Sequence, residues 1–195
     1  MDNINAETNI NYIREMIEKT KKVTASQWKF LYLWGIAILL GVTGMNILVM
    51  TKSYEYIWIN WIVFMGGAVL LQIFLIKGEI KKTEVRTYAQ DSISYVSFAS
   101  GISYTLVGFV FPILKVYNYS VIPIVISIIT GTLLFTIGGI INWNYMKWSG
   151  ILWFAGSIIM IYINCQYRSL IFIPLIIESY LIPAHILRKK YKENV

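Results

Sequence analysis

The chain has 195 residues, of which 57% are hydrophobic and 14% charged, and its formal net charge is +7. Soluble domains carry about 25% charged residues, so the composition excludes an ordinary soluble domain, and the long apolar runs lack the alternation of a membrane barrel. A single His and a single Cys argue against a metal centre and exclude an internal disulfide.

Residues 1–27 read as a cytoplasmic arm. Ile10, Ile13, Met16 and Ile17 recur at helical spacing, with Arg14, Glu15, Glu18 and Lys19 largely elsewhere on the wheel. The pattern predicts an amphipathic helix capped near Asn5 or Thr8. Such a helix lies along the inner leaflet with its lysines at the headgroups, or docks a cytoplasmic protein through residues 5–22. The first apolar run begins only after this polar segment, which is not the pattern of a cleavable signal peptide.

Six apolar segments follow, at residues 30–50, 56–76, 94–114, 119–141, 145–163 and 169–187. Each approaches the roughly 20 residues that a helix needs to cross hydrocarbon, and lipid leaves no other open structure for a spanning backbone. The expected fold is therefore all-α: a polytopic bundle of six transmembrane helices over residues 28–187, in three in-out-in hairpins. The fifth segment is the least apolar, because Lys147 lies near its start. Fourteen of the 17 basic residues fall on one side of this layout, and only Lys52, Lys115 and Arg168 on the other. The richer side is cytoplasmic by the positive-inside rule, which puts both termini and the basic tail 188–195 inside. The positive charge is then a matter of orientation and implies no nucleic acid. Tyr54, Tyr56, Trp58 and Trp61 mark one interface; Trp28, Tyr32 and Trp34, and Trp143, Tyr145 and Trp148, mark the other.

Outer loops are too short for an external domain, and the sizeable inner loop, residues 77–93, reads as a helical extension. Asn118-Tyr119-Ser120 fits a glycosylation sequon but abuts a span. Cys165 sits at an outer boundary and reads as a bystander. "GIAILLGVTGM" from Gly35 and "GILWFAGSIIM" from Gly150 share four residues in register, as a parallel repeat of the first and fifth spans would.

Polar residues inside spans are the candidates for chemistry. The third span holds Ser94, Ser97, Ser100, Gly101, Tyr104, Thr105 and Gly108, and the fourth Ser127, Thr130, Gly131 and Gly138; small residues at these spacings let helices approach closely. The sixth span is different. Glu178 lies near its midplane, where an ionisable group marks a site by default. Pro183 cannot donate to the carbonyl of Ser179, so a carboxyl and an unpaired carbonyl sit together, an arrangement suited to a proton or small cation. His185 shares a helix face with Glu178, about 10 Å along the axis. The plainer alternative is a neutral Glu178 hydrogen-bonded to another helix, with Asn46, Gln72, Ser97 and Ser100 as supporting polar residues. No nucleophile elbow, metal spacing or cofactor signature appears.

The pieces "INYIREMIEKTKK", "LYLWG", "QDSISYV" and "YLIPAHILRKK" resemble a group of small, uncharacterised bacterial six-span inner-membrane proteins. The resemblance implies a bacterial inner-membrane setting and six spans, and carries over no functional residue. Two functions stay open: a non-enzymatic regulatory or accessory module acting through its cytoplasmic face, and a small proton- or cation-linked transporter or channel centred on Glu178, with Ser179 and His185 beside it. A lipid-modifying enzyme is a weaker third. The bilayer is the expected partner, no cofactor is expected, and self-association into a homo-oligomer is left open.

Overall fold

The computed structural model describes residues 28–80 and 88–193. The amphipathic arm, residues 81–87 of the inner loop and the end of the basic tail lie outside the described residues. Within them the chain is helical, with no strand. Helix α1 is Trp28–Met50, α2 Ile57–Ile80, α3 Tyr88–Ile113, α4 Ile122–Ile140 and α5 Asn144–Tyr162; α6 is built of Phe172–Ile176, Ile177–Leu181 and Ile182–Glu193. Five helices are long and apolar enough to cross a membrane, and these mark a membrane protein. The exception is α5, the expected fifth span, which at 19 residues carries Asn144, Tyr145, Lys147 and Ser149 in its first two turns. Lys147 turns back to the Asn142 and Asn144 carbonyls of the side-chain amides, at 3.3 and 3.4 Å.

Three helices stop without glycine. Lys52, Lys115 and Asn142 adopt left-handed backbone with φ of 56°, 54° and 51°. In each case the next amide reaches back five residues: Ser53 to Leu48 at 2.9 Å, Val116 to Phe111 at 3.0 Å and Trp143 to Gly138 at 2.9 Å. These are Schellman endings, which satisfy carbonyls left over at a helix C-terminus. The sequon asparagine has a local structural job: Asn118 Oδ1 accepts the Ser120 amide at 3.1 Å and caps the turn that starts α4.

The core lies among α1, α4, α5 and α6, with Val42, Leu134, Met146, Trp153, Met160, Phe172, Ile176 and Tyr180 packed together. The tightest seam is between α4 and α5. A Cβ on Gly150 would lie 2.7 Å from the Phe135 amide nitrogen and 2.8 Å from the Gly131 carbonyl oxygen, so these backbones meet only because Gly131 and Gly150 have no side chains. Helix α1 runs along α6 and along α2, while α3 packs on α4. On α2, Ile59, Ile62, Val63, Leu70, Leu71 and Phe74 face outward, a surface suited to lipid. The glycines of the matched "GI" segments face different neighbours: Gly35 meets Tyr180 and Leu181, whereas Gly150 meets α4.

A closer internal likeness joins α3 and α6. Each contains one π turn, Leu106–Val110 and Ile177–Leu181, and each has a proline two residues after it, Pro112 and Pro183. The aligned residues run Leu-Val-Gly-Phe-Val-Phe-Pro and Ile-Glu-Ser-Tyr-Leu-Ile-Pro. Apart from Val107 and Glu178, the pairs match in kind.

Candidate functional site

The site is a polar ladder on the seam between α5 and α6. Tyr145, Ser149 and Trp153 recur every fourth residue, so one face of α5 presents all three. The Tyr145 hydroxyl donates to the Glu178 carbonyl at 3.0 Å. The Ser149 hydroxyl lies 2.9 Å from Glu178 Oε1. Trp153 Nε1 donates to Ser179 Oγ at 2.9 Å, and that hydroxyl donates onward to the Leu175 carbonyl at 2.5 Å. Ser127 on α4 supports the ladder from behind by donating to the Trp153 carbonyl at 2.8 Å.

Two features set Glu178 apart from a satisfied structural residue. Its second oxygen, Oε2, is buried and has no hydrogen-bond partner, and buried polar groups are normally paired. The Ser149 hydroxyl also lies 3.1 Å from the Tyr145 carbonyl. A hydroxyl has one proton, so it cannot donate to the carboxyl and to the carbonyl together. A protonated Glu178 removes the conflict: the acid donates to Ser149 Oγ, and Ser149 donates to the Tyr145 carbonyl. An ionised Glu178 accepts a hydrogen bond from the Ser149 hydroxyl, which then no longer serves the Tyr145 carbonyl. The arrangement thus serves both protonation states by rotation of one hydroxyl.

The backbone at Glu178 is equally specific. The Ile182 amide pairs with the Ile177 carbonyl, one residue earlier than α geometry would give. The Glu178 carbonyl therefore loses its α donor, and its π donor would be Pro183, which has none. Sequence reasoning puts the orphaned carbonyl at Ser179; the π turn leaves the Glu178 carbonyl without a backbone donor, and Tyr145 fills it. On α3 the same logic holds. The Phe111 amide pairs with Leu106, Pro112 cannot serve Val107, and the Tyr117 hydroxyl donates to the Val107 carbonyl at 2.5 Å. Burial pushes the Tyr117 hydroxyl above its ordinary titration range, which keeps it a donor.

The expected supporting residues are dispersed. Asn46 donates to the Val42 carbonyl at 2.7 Å and accepts from Ser169 at 3.0 Å, beside a cavity of about 50 Å³ that Gln166 and Tyr167 also line. Gln72 accepts from Trp34 Nε1 at 2.8 Å and ties α2 to α1. Ser97 is exposed, and Ser100 lines an open groove of about 350 Å³ between α3 and α4 with Ser103, Thr132 and Thr136. The hydroxyls of Ser103 and Thr132 turn back to their own helices there. His185 is exposed and its Nδ1 meets the Tyr32 hydroxyl at 3.3 Å, next to Trp28, over which Arg188 stacks at 5.2 Å. Of the residues chosen from sequence, only Glu178 and Ser179 join one cluster. Their partners on α5 were missed. The four-residue spacing of Tyr145, Ser149, Trp153 and Ser157 was the available signal, and Tyr145 was assigned to an interfacial belt instead. Among the described residues no group of His, Cys, Asp and Glu could hold a metal ion. The chain matches no family model, no curated protein and no solved structure.

Proposed function

We propose that this chain is a small proton-linked membrane transporter in which Glu178 takes up and releases a proton within the bilayer. The observation that carries the reading is the half-satisfied carboxyl: Oε1 rests on Ser149, and Oε2 is buried without a partner. A carboxyl kept in hydrocarbon in this state is expensive, and such groups mark proton or ion pathways. The π turn in α6 beside it is the kind of helix irregularity that is frequent at functional sites.

The likeness of α3 to α6 adds support. With six spans and both termini inside, as the basic residues imply, α3 and α6 run in opposite directions. The packing exchanges accordingly, α3 on α4 and α6 on α1. Two three-helix halves of inverted topology are a recurrent transporter plan, with only the second half carrying the acid. The bacterial inner membrane is the setting that the sequence resemblance implies.

The test is proton flux into proteoliposomes under an imposed pH gradient. Wild-type protein is expected to acidify the lumen, and Glu178→Gln, which keeps shape but cannot ionise, to reduce flux to that of empty vesicles. Equal flux from both proteins removes proton linkage through Glu178. Absence of flux from both returns the chain to the accessory-module reading, which rests on residues 5–22.

A further inference from the structure

Glu178 is held in place by a bond to its own backbone, and that bond comes from another helix. In an uninterrupted α-helix the Ile182 amide would serve the Glu178 carbonyl, and the carbonyl orphaned by Pro183 would be that of Ser179. In the π register the Ile182 amide serves Ile177 instead. Either register therefore leaves a carbonyl without its proline donor in an apolar setting, at several kcal/mol by the usual desolvation cost. The two registers differ in which group can rescue it. The Tyr145 hydroxyl, 3.0 Å from the Glu178 carbonyl, rescues the π register.

The α3 device shows what is distinctive. There the capping Tyr117 lies just beyond Pro112 in the same chain segment, so the cap is local. On α6 the cap comes from α5, 33 positions away in sequence, and it survives only while the two helices stay packed. The single unmatched pair between the two motifs falls at the capped position itself, Val107 against Glu178.

We propose that Tyr145 is a positioning residue that holds α6 in the π register and thereby keeps the Glu178 carboxyl against Ser149. Loss of the Tyr145 bond lets the turn relax toward α, which rotates Glu178 relative to the C-terminal part of α6 by about one residue's step, roughly 100°. Helix packing at α5 and the aim of the carboxyl become one two-state element, which a proton or a moving helix can bias. The inference rests on the reading of Glu178 as the working carboxyl.

The test uses Tyr145→Phe, which removes only the hydroxyl, and Tyr117→Phe, which removes the corresponding cap on α3. Two readouts are taken: proton flux against pH, and the infrared carboxyl band assigned by its loss in Glu178→Gln. Tyr145→Phe is expected to cut flux by about tenfold and shift the carboxyl band, since one hydrogen bond is worth roughly that factor. Tyr117→Phe is expected to leave the band in place. Wild-type band and flux in Tyr145→Phe, with flux still abolished by Glu178→Gln, would overturn the positioning role and leave the site standing. A band shift of equal size in Tyr117→Phe would also overturn it. If Glu178→Gln itself leaves flux at the wild-type level, both this role and the site reading fail.

Discussion

Replacing Ser149 by Ala takes away the hydrogen bond that Oε1 of Glu178 makes across the α5–α6 seam. The Ser149 side chain is fully buried and its Oγ is 2.9 Å from Oε1, while Oε2 already lacks a partner. Ser149→Ala therefore removes the Oε1 bond beside an Oε2 that already has none. Leaving one buried polar group unsatisfied costs about 1–3 kcal/mol, and coupling between polar side chains in membrane bundles averages about 0.6 and reaches about 1.7 kcal/mol. With that bond removed beside an unpaired Oε2, the upper part of the membrane range applies, so a loss of about 1.5 kcal/mol is expected. Replacing both members should recover much of that loss, because removing both partners of a buried pair is nearly neutral when shape is kept. The assay is a double-mutant cycle on Ser149→Ala, Glu178→Leu and their combination, read by reversible unfolding in mixed micelles. The expected double variant is no less stable than Ser149→Ala alone. Strict additivity, or no effect of Ser149→Ala, would refute the view that this contact satisfies the carboxyl.

Three further substitutions test the frame that carries the site. Gly150→Ala must push α4 and α5 apart, since its Cβ would lie 2.7 Å from a backbone nitrogen; a loss of about 1–3 kcal/mol is expected from such overpacking, measured by the same unfolding. Gly139→Ala has nothing within 4 Å of the new Cβ and should be neutral or stabilising by up to about 1 kcal/mol. Lys115→Gly relieves a left-handed residue with φ of 54° and should raise stability by about 0.5–1 kcal/mol, seen as a higher melting temperature in detergent.

Sequence reasoning located Glu178 because a charge inside an apolar run stands out against its neighbours. Ser149 and Tyr145 are harder to read, because those residues lie on the helix whose apolar character they weaken, and a hydroxyl does not declare its partner; only their four-residue spacing points to a shared face. Tyr145 also looks like any interfacial tyrosine until its hydroxyl is seen on the Glu178 carbonyl. Pro183 announced a missing donor, but the choice between α and π registers depends on whether a donor from α5 is within reach. Asn46 and Gln72 do not join the Glu178 cluster. They serve other seams, with Ser169 and Trp34, because helix order along the chain does not fix which faces meet.

The central claim is that a proton reaches Glu178 from water. The most direct measurement places a cysteine there, Glu178→Cys with the exposed Cys165 changed to Ser, and labels it in sealed vesicles with a membrane-impermeant maleimide added to one side at a time. The account predicts labelling from at least one side, blocked by prior treatment with a small permeant thiol reagent. A folded protein that stays unlabelled from both sides would contradict it and make the Glu178–Ser149 contact a dry helix joint.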